Sequence, residues 1–307
     1  MSSKARLTLA QRQATFALVV AVSSLWWVPC KSTVREGTKS TRGQARPAVA
    51  ARAGEETAVV RADNQLQLPD SDDGLPGTGS IRRYPWFREL WQKRREQWAQ
   101  QVAANQGAVV FLGDSITQGW GDDFGHSFGT LKVANRGISG DTTRGLLLRI
   151  SDVVAVHPRA VVILIGTNDI EEGDNPNSTT HNLELLINAL EVQLPSTPLL
   201  LSEIFPSSPS KQRPKEKIVY LNRAYAKLVV SHPSVHLVRI WATYANSAGN
   251  AKVSEFPDLL HPNAIGYAKW ADALRAKFLQ LRLLAQAETQ SHARAQTVRE
   301  HSVAKHE

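Results

Sequence analysis

A chain of 307 residues, 42% of them hydrophobic, can bury a substantial core, which excludes a collagen-like or wholly disordered protein. Its single Cys excludes an internal disulfide framework and any zinc site built from several cysteines. The net charge of +8 raises nucleic acid as a partner, but residues 1–100 hold +7 of it. The remainder is nearly neutral and has no basic stripe with interleaved aromatics, so no nucleic-acid partner is expected.

Residues 1–30 read as a signal peptide or N-terminal anchor. Lys4, Arg6 and Arg12 precede an apolar run from Thr15 to Pro29, roughly 15 residues where a spanning helix needs about 20. Cys30 stands where a bacterial lipoprotein carries its acylated cysteine, although Trp27-Val28-Pro29 departs from the usual leucine-small-small pattern. The expected location is therefore exported: periplasmic, secreted or tethered to a membrane through the N-terminus. Residues 31–80 lack aromatics and are rich in Gly, Ser, Thr, Ala, Arg and Asp, which predicts a flexible linker. At the other end, 286–307 reads as a polar C-terminal tail. Its histidines, His292, His301 and His306, are too irregularly spaced for a metal site.

Between these ends, residues 81–285 read as one domain. Phe87, Leu90, Trp91, Arg94 and Trp98 fall at helical spacing and predict a helix laying aromatics on a core, with the neighbouring basic residues on a solvated face. Strand-length apolar runs follow at Val109–Leu112, Leu131–Ala134, Val161–Ile165, Leu199–Ile204 and Val235–Val238. Helical patterns alternate with them at Thr142–Ile150, Thr179–Leu194, Lys215–Val230 and Ala264–Leu284. This alternation predicts an α/β fold whose parallel sheet is covered on both faces.

In such folds chemistry sits beyond the carboxyl ends of the strands. After the first strand comes Gly113-Asp114-Ser115, which puts a serine hydroxyl and a helix-starting N–H at the sheet edge. A helix-capping serine is the other reading. After the second strand, Ile138-Ser139-Gly140-Asp141-Thr142 offers a bare backbone N–H at glycine, or an ordinary loop glycine. Gly166-Thr167-Asn168-Asp169 follows the third strand and offers the Asn168 amide, or a turn-forming asparagine. Near the C-terminus, Asp258 precedes His261 by three residues in a loop opening the last helix. A histidine base needs a carboxylate to orient its ring, and a capping Asp beside a surface His is the alternative. Trp120, Phe124 and Phe128 either line an acyl pocket or pack in the core.

Taken in order, these four blocks resemble those of the SGNH (GDSL-type) hydrolase superfamily, with Ile116 in place of the usual leucine after Gly-Asp-Ser. The stretch from Asn135 to Arg144 is similar to the catalytic subunits of platelet-activating-factor acetylhydrolase and equally to bacterial acetylesterases. The export-type N-terminus departs from the intracellular acetylhydrolase subunits. The resemblance implies a flavodoxin-like three-layer sandwich with a five-stranded parallel sheet. It also implies ester hydrolysis without metal or cofactor. In that scheme Ser115 is the nucleophile, His261 the base and Asp258 its orienter, while Ser115, Gly140 and Asn168 form the oxyanion hole. The expected substrates are carboxylic esters with short acyl groups, foremost O-acetyl groups on carbohydrate. The alternatives are a lipid-directed acylhydrolase and a tethered binding module that has lost turnover.

Overall fold

The computed structural model describes residues 66–284. The export segment, Cys30, the linker up to residue 65 and the tail from 286 lie outside the described residues.

Helix α1 (Pro85–Gln100) begins with proline at its first turn, where the missing N–H costs nothing. The alternation expected from the sequence follows. Strand β1 (Val109–Gly113) leads into α2 (Ser115–Gly119), and β2 (Val133–Gly137) leads into α3 (Thr143–Leu147) and α4 (Ser151–Val154). Strand β3 (Ala160–Leu164) is followed by α5 (Thr167–Glu172) and α6 (Pro176–Gln193), and β4 (Leu199–Ser202) by α7 (Lys215–Val229). Strand β5 (Val235–Val238) precedes α8 (Trp241–Tyr244) and the last helix, α9 (Ala264–Gln280).

The five strands form one parallel sheet in the order β2-β1-β3-β4-β5. Alternate residues face opposite layers. Val110, Leu112, Val161 and Ile163 pack on Leu183, Ile187, Ile218 and Leu221 of α6 and α7. Val109, Phe111, Val162 and Leu164 pack on Trp270, Leu274 and Phe278 of α9. The sheet is thus covered on both sides, and the strand order reverses at β1, opening a crevice beyond the ends of β1, β2 and β3.

Three expectations change. The linker was expected to run through residue 80, but residues 66–80 are held on the domain. Leu68 is buried, Ser80 donates its N–H to Asp174 Oδ2 at 2.9 Å, and Arg144 reaches Gly79 O at 2.8 Å and Asp72 Oδ2 at 2.6 Å. This segment has little apolar surface to bury. It is fixed instead through its backbone and carboxylates by side chains distant in sequence. The second change concerns α1, whose basic residues do not all lie on a solvated face. Arg95 is buried and pairs with Asp152 at 2.8 Å, and its guanidinium lies 5.5 Å from the Trp91 ring centre. The third is the helix expected over 142–150, which is shorter: α3 ends at Leu147, and α4 begins beyond it at Ser151.

Candidate active site

Strand β1 ends at Gly113 because nothing larger fits: a β-carbon there would lie 2.4 Å from both Leu164 O and Thr117 Oγ1. Asp114 then caps α2, its side chain accepting the Ile116 N–H at 2.9 Å. Ser115 opens the helix with its hydroxyl turned outward. From the other end of the chain, His261 Nε2 comes within 3.0 Å of Ser115 Oγ, and His261 Nδ1 lies 2.8 Å from Asp258 Oδ2. The other Asp258 oxygen accepts the N–H groups of Leu260 at 3.0 Å and His261 at 2.7 Å. One carboxylate therefore sets both the loop backbone and the ring. Burial opposes its ionisation, but the hydrogen bonds from His261 and Leu260 prevail and pull Asp258 down to about 2. Between the pair, Leu259 adopts φ +65, and its carbonyl accepts the Ser207 hydroxyl at 2.8 Å.

The loops after β2 and β3 close the opposite side. Gly140 has φ +88, a left-handed conformation that L side chains rarely adopt. Ser139 donates its N–H to Gln118 Oε1 at 2.7 Å, tying this loop to α2. Gly166, at φ +116, turns β3 into α5 and leaves no room for a side chain, since a β-carbon would lie 2.6 Å from Tyr225 Oη. That turn delivers Asn168, which is buried. Its Nδ2 donates to Asp141 O at 2.8 Å and its Oδ1 accepts from Arg213 Nη2 at 3.1 Å. One amide hydrogen remains. Among the described residues the backbone N–H groups of Ser115 and Gly140 have no acceptor either. Three donors from the ends of three neighbouring strands thus stand uncommitted among the described residues.

Three carboxylates lie fully buried beneath them. Asp114 and Asp169 are each raised to about 7, foremost by desolvation, and Asp141 is raised for the same reason. Asp169 accepts both the N–H and the hydroxyl of Thr143, joining α5 to α3. Asp141 pairs with Arg149 at 2.7 Å rather than capping α3, a role taken by Thr142. Arg149 further donates to Arg136 O at 2.8 Å and Gly113 O at 2.9 Å, stapling the ends of β1 and β2.

All five residues singled out from the sequence, Ser115, Gly140, Asn168, Asp258 and His261, therefore meet at one sheet edge. Sequence reasoning missed Arg149 and Arg213. Both are buried arginines, and burial of a charge without a local partner leaves no mark in a sequence. Trp120, Phe124 and Phe128 do not line the site: all three are buried against Phe111, in a cluster that Trp270 and Phe278 complete.

Comparison with known proteins bears on this geometry. The model of the GDSL-like lipase/acylhydrolase family matches residues 111–269. Platelet-activating factor acetylhydrolase IB subunit alpha1 of Pongo abelii is 26% identical over 200 residues, covering 64% of this chain and 85% of that protein. The alpha2 subunit of Gallus gallus is 23% identical, covering 71% of this chain and 92% of that protein. A Streptococcus pneumonia structure described as a platelet activating factor aligns with TM-score 0.56 at 27% identity, over 62% of this chain and 94% of that one. A GDSL-like lipase from Bacteroides thetaiotaomicron shares the fold, with TM-score 0.53 at 23% identity over 61% of this chain and 97% of its own.

Proposed function

This chain belongs to the GDSL-like lipase/acylhydrolase family and hydrolyses esters, and from that premise we propose that it is an exported serine esterase removing short acyl groups, foremost acetyl groups from carbohydrate. The observation that carries the chemistry is the relay from Ser115 through His261 to Asp258, facing three uncommitted N–H donors.

In this reading Ser115 Oγ attacks the ester carbonyl carbon while its proton passes to His261 Nε2. Asp258, ionised across the working range, holds the ring and offsets the imidazolium charge. The carbonyl oxygen gains its negative charge between the N–H groups of Ser115 and Gly140 and the amide of Asn168, a fixed set of dipoles. Collapse of the tetrahedral intermediate breaks the bond to the alcohol oxygen, which takes the proton from His261. Water then attacks the acyl-enzyme, gives its proton to His261, and the acid leaves as Ser115 recovers its hydrogen. No metal or cofactor enters these steps.

Short acyl groups are favoured because the aromatic side chains following the nucleophile are consumed in the core, leaving none of them to line an acyl cleft. Export rests on the basic-then-apolar N-terminus. A second reading, a lipid-directed acylhydrolase, is supported by the acetylhydrolase subunits to which the chain is similar. Purified protein should turn over p-nitrophenyl acetate, and Ser115→Ala should not. Equal rates for the two would defeat the nucleophile assignment. A serine-reactive phosphonate should label Ser115, and its failure to do so would favour a binding module. Acetylated sugars should be cleaved faster than octanoyl esters, and the reverse order would select the lipid reading.

A further inference from the structure

An aromatic pair stands at the edge of this site, outside the stretch that the family model matches. Tyr84 and Trp86 are 51% and 48% exposed, and their rings stack 6.2 Å apart at an interplanar angle of 12°. Two half-exposed aromatic rings stacked side by side present a contiguous apolar surface on which a ligand can lie. The position of Trp86 is specific: a β-carbon placed on Gly140 would lie 2.8 Å from Trp86 Cη2 and 3.1 Å from Arg82 Nη1. The far edge of the indole and one guanidinium nitrogen therefore border the glycine whose N–H faces the ester oxygen.

Arg82 is held rigidly there. Its side chain is only 10% exposed, Nε donates to Glu172 at 2.6 Å, and Nη2 is bound to Glu171. Among the described residues Nη1 has no acceptor. Glu171 also binds Arg213 at 2.7 Å, and Arg213 holds Asn168. The segment carrying Arg82, Tyr84 and Trp86 is thereby locked to the same framework as the oxyanion donors.

We infer that Tyr84, Trp86 and Arg82 Nη1 form the subsite for the sugar ring of an O-acetylated carbohydrate, an assignment that rests on the esterase reading above. An acetyl ester has almost all its bulk on the alcohol side, so an aromatic surface bordering the carbonyl pocket meets the alcohol. A pyranose ring offers an apolar C–H face to an aromatic ring and hydroxyls at its rim. Those hydroxyls accept from a buried, pre-placed guanidinium N–H. A long acyl chain needs an enclosed apolar cleft, which a half-exposed pair does not provide. A quaternary ammonium head would have to sit beside the Arg82 cation.

The test compares kcat/KM for acetylated xylobiose with that for ethyl acetate and for an octanoyl ester, in wild type, Trp86→Ala, Trp86→Phe, Tyr84→Ala and Tyr220→Ala. Tyr84 makes no side-chain bond at its helix cap, so its variant probes the pair without disturbing α1. Wild type should prefer the sugar ester, and Trp86→Ala should lower that preference about tenfold through KM. Trp86→Phe should restore most of it and Tyr84→Ala should lower it less. Tyr220, exposed on α7, should leave it unchanged on substitution. If wild type prefers the sugar ester and neither Trp86→Ala nor Tyr84→Ala changes that, the subsite is wrong and the esterase reading stands. If wild type shows no sugar preference, the carbohydrate reading fails and takes the subsite with it. Loss on octanoyl esters alone would place an acyl chain on the pair and overturn the assignment.

Discussion

The Asn168 oxygen is bound by Arg213 and one amide hydrogen is bound to Asp141 O, and the proposed mechanism gives the other hydrogen to the developing oxyanion. Removing that last donor with Asn168→Ala should lower kcat by about 10²–10³, with KM little changed, in steady-state kinetics. Arg213 acts through Asn168 as a positioning residue. Its Nε also holds Thr167 Oγ1 at 3.0 Å and Thr167 O at 3.1 Å, which only a planar fork can do. Arg213→Lys should therefore lower kcat by about tenfold and add almost nothing once Asn168→Ala is present. Additive losses would mean that Arg213 serves the fold alone. Ser115, Gly140 and Asn168 were legible because each is a chemical type in the loop after a strand end, and Asp258 and His261 because a carboxylate three residues before a histidine stands just ahead of a helix. Arg213 was not, because the site residues its side chain holds, Thr167, Asn168 and Glu171, lie 42 to 46 positions away in sequence.

At the scale of the element, the strands were legible where apolar residues are continuous, and misplaced where they are not. The expected second strand stops at Ala134, yet β2 continues through Asn135, Arg136 and Gly137. These polar residues are buried because each finds partners: Asn135 Nδ2 donates to Thr117 O and Gly121 O at 2.9 Å, and Arg136 lies 5.2 Å from the Trp98 ring centre. Helix α1 was legible from its aromatic spacing, and its burial makes it part of the core rather than an appendage. Trp91 is fully buried among Phe87, Trp98 and Ile138. Trp91→Ala should cost about 3–5 kcal/mol, read from urea unfolding. A loss below about 1 kcal/mol would show that α1 adds little to the domain.

Over the whole molecule, the concentration of buried carboxylates at the strand ends makes stability depend on pH in a defined sense. Asp114 and Asp169 have folded-state values of about 7, above the ordinary 3.8, so between those limits the folded chain binds more protons than the unfolded one. Stability contributed by their neutral forms is complete below about pH 4 and declines as pH rises toward 7. Asp114 is the cleaner probe, since its Oδ1 accepts one N–H while its Oδ2 has no hydrogen-bond partner among the described residues. Asp114→Asn keeps the acceptor and cannot ionise. Its Tm relative to wild type should rise between pH 4 and 7 in calorimetry. A constant difference across that range would mean that Asp114 does not titrate there.

The bond between Ser115 and His261 joins residues 146 positions apart. Ser115 follows the first strand, whereas Asp258 and His261 precede the last helix, α9. A ribosome has therefore made the serine and all three proposed oxyanion donors long before it makes the proposed base. Until the final helix has emerged and docked on Phe111 and Trp120, the growing chain holds a nucleophile that nothing can deprotonate. Activity becomes a clock for completed synthesis: in a time-resolved translation assay, ester hydrolysis should lag full-length chain and never precede it.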